Sequence, residues 1–157
     1  MKLFLIYLAL LFIGADNPNK SIQGTYYNKY GKTNKAPFGL LQIHYINKDN
    51  YLFYLEVNRG APGYNSGALY GRLTLNRKSG NSEYLPLDTT DGCKLEFNCD
   101  KNKITIKTVT GDCGFGYGVF ADGFYLLKDD KNPINFVDRT GKKIYFDKTP
   151  PEKFSED

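Results

Sequence analysis

The amino-acid sequence predicts an all-β protein: one antiparallel barrel of about eight to ten strands, with a two-sheet β-sandwich as the alternative. Short stretches of alternating apolar and polar residues recur between turn residues, and no helical apolar period persists. The chain is also rich in strand-forming aromatic residues, with 13 tyrosines and 11 phenylalanines, and has no tryptophan. Finally, the stretch from Cys93 to Tyr125 contains a strand, a tight turn and a second strand.

The amino terminus has the features of a secretory signal peptide. A basic start is followed by an unbroken apolar run, residues 3–13, and by the small pair Gly14-Ala15. The run is too short for a comfortable membrane span, and no cysteine follows it that could carry a lipoprotein anchor. We therefore expect a signal peptide over residues 1–15, a barrel domain over 16–149 and a flexible tail over 150–157. The mature protein is expected in the periplasm or the medium, with no stable membrane anchor.

The first half of the chain predicts five strands joined by turns and two longer loops. In the third strand, Phe53 and Val57 lie on one face, and Tyr54 and Glu56 lie on the other. Tyrosines on such polar faces, namely Tyr26, Tyr54 and Tyr70, are expected to be exposed and available to stack on sugars. The predicted strands are 22–28, 40–46, 51–57, 68–75 and 83–85, the turn is 47–50 and the loops are 31–37 and 59–67.

The central stretch predicts a hairpin whose strands, 93–99 and 104–106, are joined by the turn Asp100–Lys103. The apolar residues of the two strands lie on the same side of the hairpin in only one register. A shift of one strand by one residue would turn its apolar residues to the solvent. That register places Cys99 opposite Ile104, Phe97 opposite Ile106, Leu95 opposite Thr108 and Cys93 opposite Thr110.

The same register predicts the disulfide. Cys93 and Cys99 are separated by about 20 Å of extended strand, too far for a bridge, and Cys99 and Cys113 lie at opposite ends of the hairpin. We therefore expect a Cys93–Cys113 disulfide, which closes a loop of about 20 residues and contributes about 3 kcal/mol. Cys99 is expected to be a small buried hydrophobe, the alternatives being a reactive thiol or an intermolecular bridge.

Alternating glycines follow the hairpin. The spacing of Gly114, Gly116 and Gly118 fits neither a dinucleotide fingerprint nor a phosphate-binding loop. It predicts a strand that bends or that lets a neighbouring backbone approach closely, while Gly123 belongs to a turn over 121–124. A strand over 124–127, a turn over 129–133 and a strand over 143–146 complete the pattern.

Catalytic and metal-binding signals are weak. His44 is the only histidine and is expected on the surface or lining a cavity, so a histidine-based metal site lacks partners. Glu56 and Glu96 lie on polar strand faces, where they could serve as acid and base in a hydrolase only if one groove held both. The net charge of +4 is spread along the chain, which does not indicate nucleic-acid binding. No cofactor is expected.

Several short motifs together resemble a known family. Gly24-Thr25-Tyr26, Cys93-Lys94-Leu95-Glu96-Phe97, Cys113-Gly114-Phe115-Gly116 and Gly123-Phe124-Tyr125 resemble a family of small exported bacterial proteins of uncharacterised function. Similar modules accompany domains similar to lysozyme inhibitors, so the resemblance implies a role in the bacterial envelope; it implies no active site. Cys99 is not part of the family pattern. The opening is also similar to the G-x-W start of lipocalin-like barrels, an analogy of fold alone.

These observations favour an exported, non-catalytic binding or inhibitory protein whose partner is an unknown protein or small ligand of the envelope. Loops on a rigid scaffold are where recognition usually takes place, so the candidate binding loop is 59–67, with Arg59, Tyr64 and Asn65. The alternatives are a small-molecule carrier with a cavity inside the barrel and a carboxylate-based hydrolase.

Overall fold

The computed structural model describes residues 21–29, 37–76, 79, 81–84, 92–100, 102–111 and 113–155. The predicted signal peptide and nearly all of the predicted 31–37 loop lie outside these ranges. The strands are β1 Gly24–Lys29, β2 Phe38–Asn47, β3 Asn50–Asn58, β4 Ser66–Asn76, β5 Asn81–Tyr84, β6 Lys94–Asp100, β7 Lys103–Thr110, β8 Gly123–Asp129, β9 Asn135–Val137 and β10 Lys143–Tyr145. Pro151–Lys153 forms a 3-10 turn, and no helix in the described ranges is long and apolar enough to cross a membrane.

Strands β1 to β8 form a closed antiparallel barrel. Each strand pairs with the next along the chain, and β8 pairs with β1 to close the ring. The predicted barrel is therefore confirmed, and the sandwich alternative is wrong. β9 and β10, of which only the second is predicted by the sequence, form a separate two-stranded sheet outside the barrel.

Large side chains fill the middle of the barrel. The inward faces of the strands carry residues that are almost fully buried, as bulky apolar faces predict. Phe53 of β3 and Phe97 of β6 meet edge to face with ring centroids 5.2 Å apart, although two strands separate β3 from β6 in the sheet. The residues of this core with the lowest exposure are Leu41, Ile43, Phe53, Leu55, Leu95, Phe97, Ala121 and Tyr125.

Two Gly-x-Tyr motifs build the same local structure in neighbouring strands. Gly24 begins β1 and Gly123 begins β8, with φ angles of 141° and 140° that L side chains rarely adopt. The hydroxyls of Tyr26 and Tyr125 each donate a hydrogen bond of 2.9 Å to the carbonyl oxygen four residues earlier. Because β1 and β8 are antiparallel, the two tyrosine side chains reach back in opposite directions along the barrel. Gly39 makes room for one of them, since a Cβ there would lie 2.9 Å from the Tyr125 ring.

β3 is buried on both of its faces, which the sequence did not predict. Its outward side chains Leu52 and Tyr54 pack beneath the β9–β10 sheet. We call this layer the outer aromatic cluster; its buried members are Leu52, Tyr54, Tyr70, Phe136, Ile144 and Phe146. Tyr54 and Tyr70 are thus buried in the outer aromatic cluster and Tyr26 in the barrel core, and the expectation that these tyrosines are exposed is wrong.

The carboxyl-terminal residues are held against β4. The predicted tail starts at residue 150, yet Phe154 packs edge to face on Tyr70, with ring centroids 5.4 Å apart. Glu152 accepts hydrogen bonds from Arg72 at 3.0 and 3.1 Å, which lowers the pKa of its carboxyl group. The Tyr70 hydroxyl donates to the Thr149 carbonyl oxygen at 2.7 Å. Residues 150–155 therefore belong to the packed structure.

The β9–β10 turn and His44 help to fix the same layer. Asp138 is buried and accepts hydrogen bonds from the amides of Thr140 and Lys142, both at 2.9 Å. Burial tends to raise the pKa of Asp138, but the hydrogen bond that the Thr140 hydroxyl donates at 2.7 Å and the two amide hydrogen bonds together lower it more. The half-buried His44 ring stacks on Phe146, and its Nδ1 lies 2.8 Å from a backbone carbonyl oxygen. His44, expected on the surface or lining a cavity, therefore packs against residues that flank the β9–β10 sheet.

The central hairpin follows the predicted register over most of its length. Cys99 pairs with Ile104, and the pairs that follow agree as far as Leu95. A bulge between Lys94 and Leu95 then shifts the register, so Thr110 pairs with Lys94; the prediction of Cys93 opposite Thr110 is wrong by one residue. The Cys93–Cys113 disulfide is confirmed, with Cα atoms 4.9 Å apart.

Candidate functional site

The long connections of the barrel lie at one end, which we call the loop end. In an up-and-down barrel, alternate connections emerge at the same end, and among the connections that the structure describes these are β3–β4 and β7–β8. The opposite end carries short turns such as Lys48-Asp49. The β3–β4 loop, residues 59–65, and most of the β7–β8 connection, residues 111–122, are described, and they form the candidate site.

The β3–β4 loop is closed by its own hydrogen bonds. The Arg59 amide donates to the Asn65 carbonyl oxygen at 2.9 Å, and the Tyr64 amide donates to the Gly60 carbonyl oxygen at 2.8 Å. The Gly60 amide in turn donates to the side chain of Asn58 at 2.6 Å. Tyr64 has a φ of 49° and an exposed side chain. The predicted binding loop is therefore an ordered turn that projects a tyrosine into the solvent.

Side chains of this loop hold the β7–β8 connection. The Asn65 amide donates to the Tyr117 carbonyl oxygen at 2.8 Å, and Arg59 donates to the same oxygen at 3.4 Å. The Arg59 guanidinium also lies 6.0 Å from the centroid of the Tyr117 ring, a cation–π distance. The Gly116 amide donates to the Ser66 carbonyl oxygen at 3.3 Å. Two segments that are distant in sequence thus form one surface.

The alternating glycines lie in this crossing, which is not a strand. Residues 113–122 form bends and turns, so the strand predicted for the glycine run is wrong. Gly114 and Gly118 both have a φ of 71°, and a Cβ on Gly116 would lie 3.1 Å from the Ser66 backbone. The close backbone approach expected of the glycines is therefore present, but it comes from a loop that passes over the start of β4.

Two further contacts fix the ends of the crossing. Cys113 joins its beginning to Cys93 at the start of β6 through the disulfide. Near its end, the Asp122 carboxylate accepts hydrogen bonds from the Thr108 amide at 3.1 Å and from the Thr108 hydroxyl at 2.6 Å. Between these points, the ring of Phe115 covers Gly67 so closely that no Cβ would fit there. The crossing is thus held at both ends and in its middle.

The result is a surface of exposed aromatic side chains beside an open groove. Tyr117 is 87% exposed, Phe120 73% and Tyr64 51%. The groove has a volume of about 570 Å³, and its lining includes Phe115, Tyr117, Phe120 and Asp122. We call Tyr64, Tyr117 and Phe120, together with Arg59 and Asn65, which hold the Tyr117 backbone, the aromatic loop surface. Tyr117 and Phe120 are not among the residues singled out from the sequence; the aromatic residues between the glycines were the available signal.

The carboxylates considered for hydrolysis lie apart. Glu56 of β3 pairs with Ala68 of β4. Glu96 of β6 pairs with Glu83 of β5, which in turn pairs with Thr74 of β4. Six residues of extended strand correspond to about 20 Å, so Glu56 and Glu96 do not share a groove. Within the described ranges, no three side chains of histidine, cysteine, aspartate or glutamate are grouped so that they could hold a metal ion.

Cys99 is a poor candidate for a reactive thiol. It is the free cysteine of the chain and packs against the barrel core. Burial raises its thiol pKa to about 12, so the reactive thiolate is scarce near neutral pH. Cys99 is therefore a small, partly buried side chain packed against the core rather than the fully buried one expected.

Comparison of the chain with protein families, with curated proteins and with solved structures finds no match. The resemblance to small exported envelope proteins therefore remains a prediction. The fold and the surface define a class in structural terms, an eight-stranded antiparallel barrel with an outer aromatic layer and a cross-braced loop end.

Proposed function

We propose that the protein is an exported, non-catalytic binding or inhibitory protein that contacts a protein partner through the aromatic loop surface. The proposal rests mainly on Tyr117, whose side chain is exposed while its backbone is held in place. Its side chain is 87% exposed, while its backbone carbonyl oxygen accepts hydrogen bonds from Asn65 and Arg59. Burial of an exposed aromatic side chain on a fixed backbone costs little ordering entropy, and such residues dominate the binding energy of protein interfaces.

The cross-bracing of the loop end supports recognition of one defined partner. The disulfide and the Asp122–Thr108 hydrogen bonds hold the same connection that presents Tyr117 and Phe120. A preorganised surface of this kind favours a tight complex with little rearrangement. The Cys93–Cys113 disulfide also agrees with export to an oxidising compartment.

The carrier alternative has less support. A carrier needs an enclosed apolar cavity, whereas Phe53 and Phe97 meet in the middle of the barrel and large buried side chains surround them. The described groove lies at the loop end and is open to solvent. A partner contact at the loop end is therefore the function that the geometry favours.

The test is capture of a partner from envelope extract and from a panel of lysozymes on immobilised protein. The wild-type protein is compared with the double variant Tyr117→Ser/Phe120→Ser and with Tyr145→Ser, a control in the exposed tyrosine of β10. We expect one stoichiometric protein partner that the control retains and the double variant loses. Equal capture by all three proteins would contradict the proposal, as would turnover in a parallel glycosidase and esterase assay.

A further inference from the structure

The groove beside the aromatic loop surface carries a single charged side chain. The groove lies between the end of β7, at Thr108, and the crossing that presents Phe115, Tyr117 and Phe120. Among the described residues that line it, every one other than Asp122 is uncharged, and most are glycines or aromatic residues. A carboxylate beside aromatic rings is the combination that recognises a cation with a flat, weakly hydrated surface. We call this feature the loop-end groove.

Thr108 fixes the Asp122 carboxylate and leaves part of its hydrogen-bonding capacity free. One carboxylate oxygen accepts the hydrogen bond from the Thr108 amide at 3.1 Å, and the other accepts that from the Thr108 hydroxyl at 2.6 Å. A carboxylate has about four lone-pair sites, so each oxygen keeps one of its own. One free site on each oxygen is what a bidentate contact with the forked donors of a guanidinium requires.

The neighbouring basic residues of the chain do not take up these sites. Lys107 precedes Thr108 on β7, so its side chain points to the opposite face of the strand, where it lies across from Glu96 of β6. Arg59 holds the crossing from the β3–β4 loop and does not line the groove. In the described part of the chain, Asp122 forms no ion pair. The negative charge of the groove is therefore available to a partner.

We infer that the loop-end groove binds an arginine side chain of the protein partner. The guanidinium would form two hydrogen bonds with the Asp122 carboxylate, and its plane and aliphatic stem would pack on the rings of Phe115, Tyr117 or Phe120. This inference rests on the proposed function, because it specifies the chemistry of the partner at the same surface. A bidentate ionic contact fixes the orientation of a partner, whereas aromatic contacts alone leave it less defined.

The charge and the geometry of the carboxylate decide between arginine and other occupants. A neutral apolar side chain would cover Asp122 and leave its free lone pairs without donors, which costs desolvation energy. A carboxylate or a phosphate group would meet the negative charge of Asp122. Lysine offers a compact, strongly hydrated ammonium group, which does not match both carboxylate oxygens or stack on aromatic faces as a guanidinium does.

One test needs no partner. The full-length exported protein is titrated with Nα-acetyl-arginine amide, and the amide signals of the protein are followed by two-dimensional nuclear magnetic resonance. The corresponding lysine, norleucine and glutamate amides are titrated in parallel. Asp122→Asn removes the charge alone, because an asparagine side chain still makes both hydrogen bonds to Thr108. The control is Asp129→Asn, since Asp129 is exposed at the end of β8 and also accepts a hydrogen bond from a backbone amide.

We expect the arginine probe to shift the signals of Tyr117, Phe120 and Asp122. It should bind about fivefold more tightly than the norleucine probe, as for one solvent-exposed ion pair. Asp122→Asn should lose that difference, and Asp129→Asn should keep it. The inference is wrong if the arginine and norleucine probes bind alike, if the lysine probe binds as tightly as the arginine probe, or if the two variants change binding equally.

Capture of the partner from envelope extract separates this inference from the proposed function. We expect Asp122→Asn to bind the captured partner at least about tenfold more weakly, because the partner's arginine loses its counter-charge in the interface, and Asp129→Asn to bind it like the wild type. Circular dichroism shows whether each variant is folded. If Asp122→Asn retains the partner at the wild-type level while Tyr117→Ser/Phe120→Ser loses it, the arginine contact is wrong and the proposed function stands.

Discussion

Phe136 is the side chain through which the β9–β10 sheet is attached to the barrel. It is 1% exposed, and its ring stacks on that of Tyr54 with centroids 4.0 Å apart. The rings of Tyr70, Phe146 and Phe154 surround it at centroid distances of 4.9, 5.2 and 5.6 Å. Phe136→Ala therefore removes the centre of the outer aromatic cluster.

The expected cost follows from that environment. Removal of a fully buried phenylalanine side chain costs about 3–5 kcal/mol, from lost transfer free energy and from the cavity that remains. For a domain of this size, each kcal/mol lowers the melting temperature by roughly 2–4 °C. We therefore expect the free energy of unfolding of Phe136→Ala to fall by at least about 3 kcal/mol and its melting temperature to fall by roughly 6–20 °C.

Urea denaturation followed by far-ultraviolet circular dichroism measures this change. The matched control is Val137→Ala, because Val137 is the next residue of β9 and its side chain is 49% exposed. The control should lie within about 0.5 kcal/mol of the wild type. If Phe136→Ala is as stable as the control, the sheet is not energetically coupled to the barrel and the account of β3 as a strand buried on both faces is incorrect.

Further predictions concern single positions in the core. Tyr51→Phe should raise the free energy of unfolding by about 1 kcal/mol, because its buried hydroxyl has no hydrogen-bond partner in the described structure, whereas Tyr26→Phe should lower it by about 1–2 kcal/mol. Gly39→Ala should cost about 1–3 kcal/mol, because the added methyl group would lie 2.9 Å from a buried ring, and Gly63→Ala should be nearly neutral. Cys99, with its thiol pKa raised to about 12, should react with a disulfide reagent at pH 8 far more slowly in the folded than in the unfolded protein.

Urea titrations measure the stability of the two tyrosine variants and of the two glycine variants. The absorbance of the thiol released from the reagent measures the rate at which Cys99 reacts. Equal stability changes for Tyr51→Phe and Tyr26→Phe would show that the two hydroxyls do not differ in their hydrogen bonding. Comparable results for the two glycine variants would refute the close contact at Gly39. Rapid labelling of Cys99 in the native protein would show that the thiol is exposed.

Alternation along the chain predicts the barrel because a period of two depends only on neighbouring residues. The hairpin pairing from Leu95 to Thr108 and the disulfide follow for the same local reason. The bulge at Lys94 does not follow, because between the pairs Leu95–Thr108 and Lys94–Thr110 strand β7 carries one extra residue, Val109. The alternation of apolar and polar residues along a strand does not show where a bulge adds a residue.

The outer layer shows where alternation misleads. Tyr54 lies between apolar residues on a strand, so it is assigned to the solvent face, but that face is covered by Phe136, more than 80 residues further along the chain. The aromatic loop surface is also formed by segments that are distant in the sequence. Asn65 and Tyr117 are in contact because the barrel brings their two loops to the same end. The pattern of neighbouring residues in the sequence cannot predict such a contact.

The central claim, that the aromatic loop surface is a binding surface, is tested most directly by isothermal titration calorimetry with the purified captured partner. Titrations of the wild type, Tyr117→Ser/Phe120→Ser and Tyr145→Ser give three dissociation constants under one set of conditions. The account predicts that the double variant binds at least about 30-fold more weakly, as expected for the loss of interface hot spots, and that Tyr145→Ser binds like the wild type. Equal dissociation constants for all three proteins would contradict it.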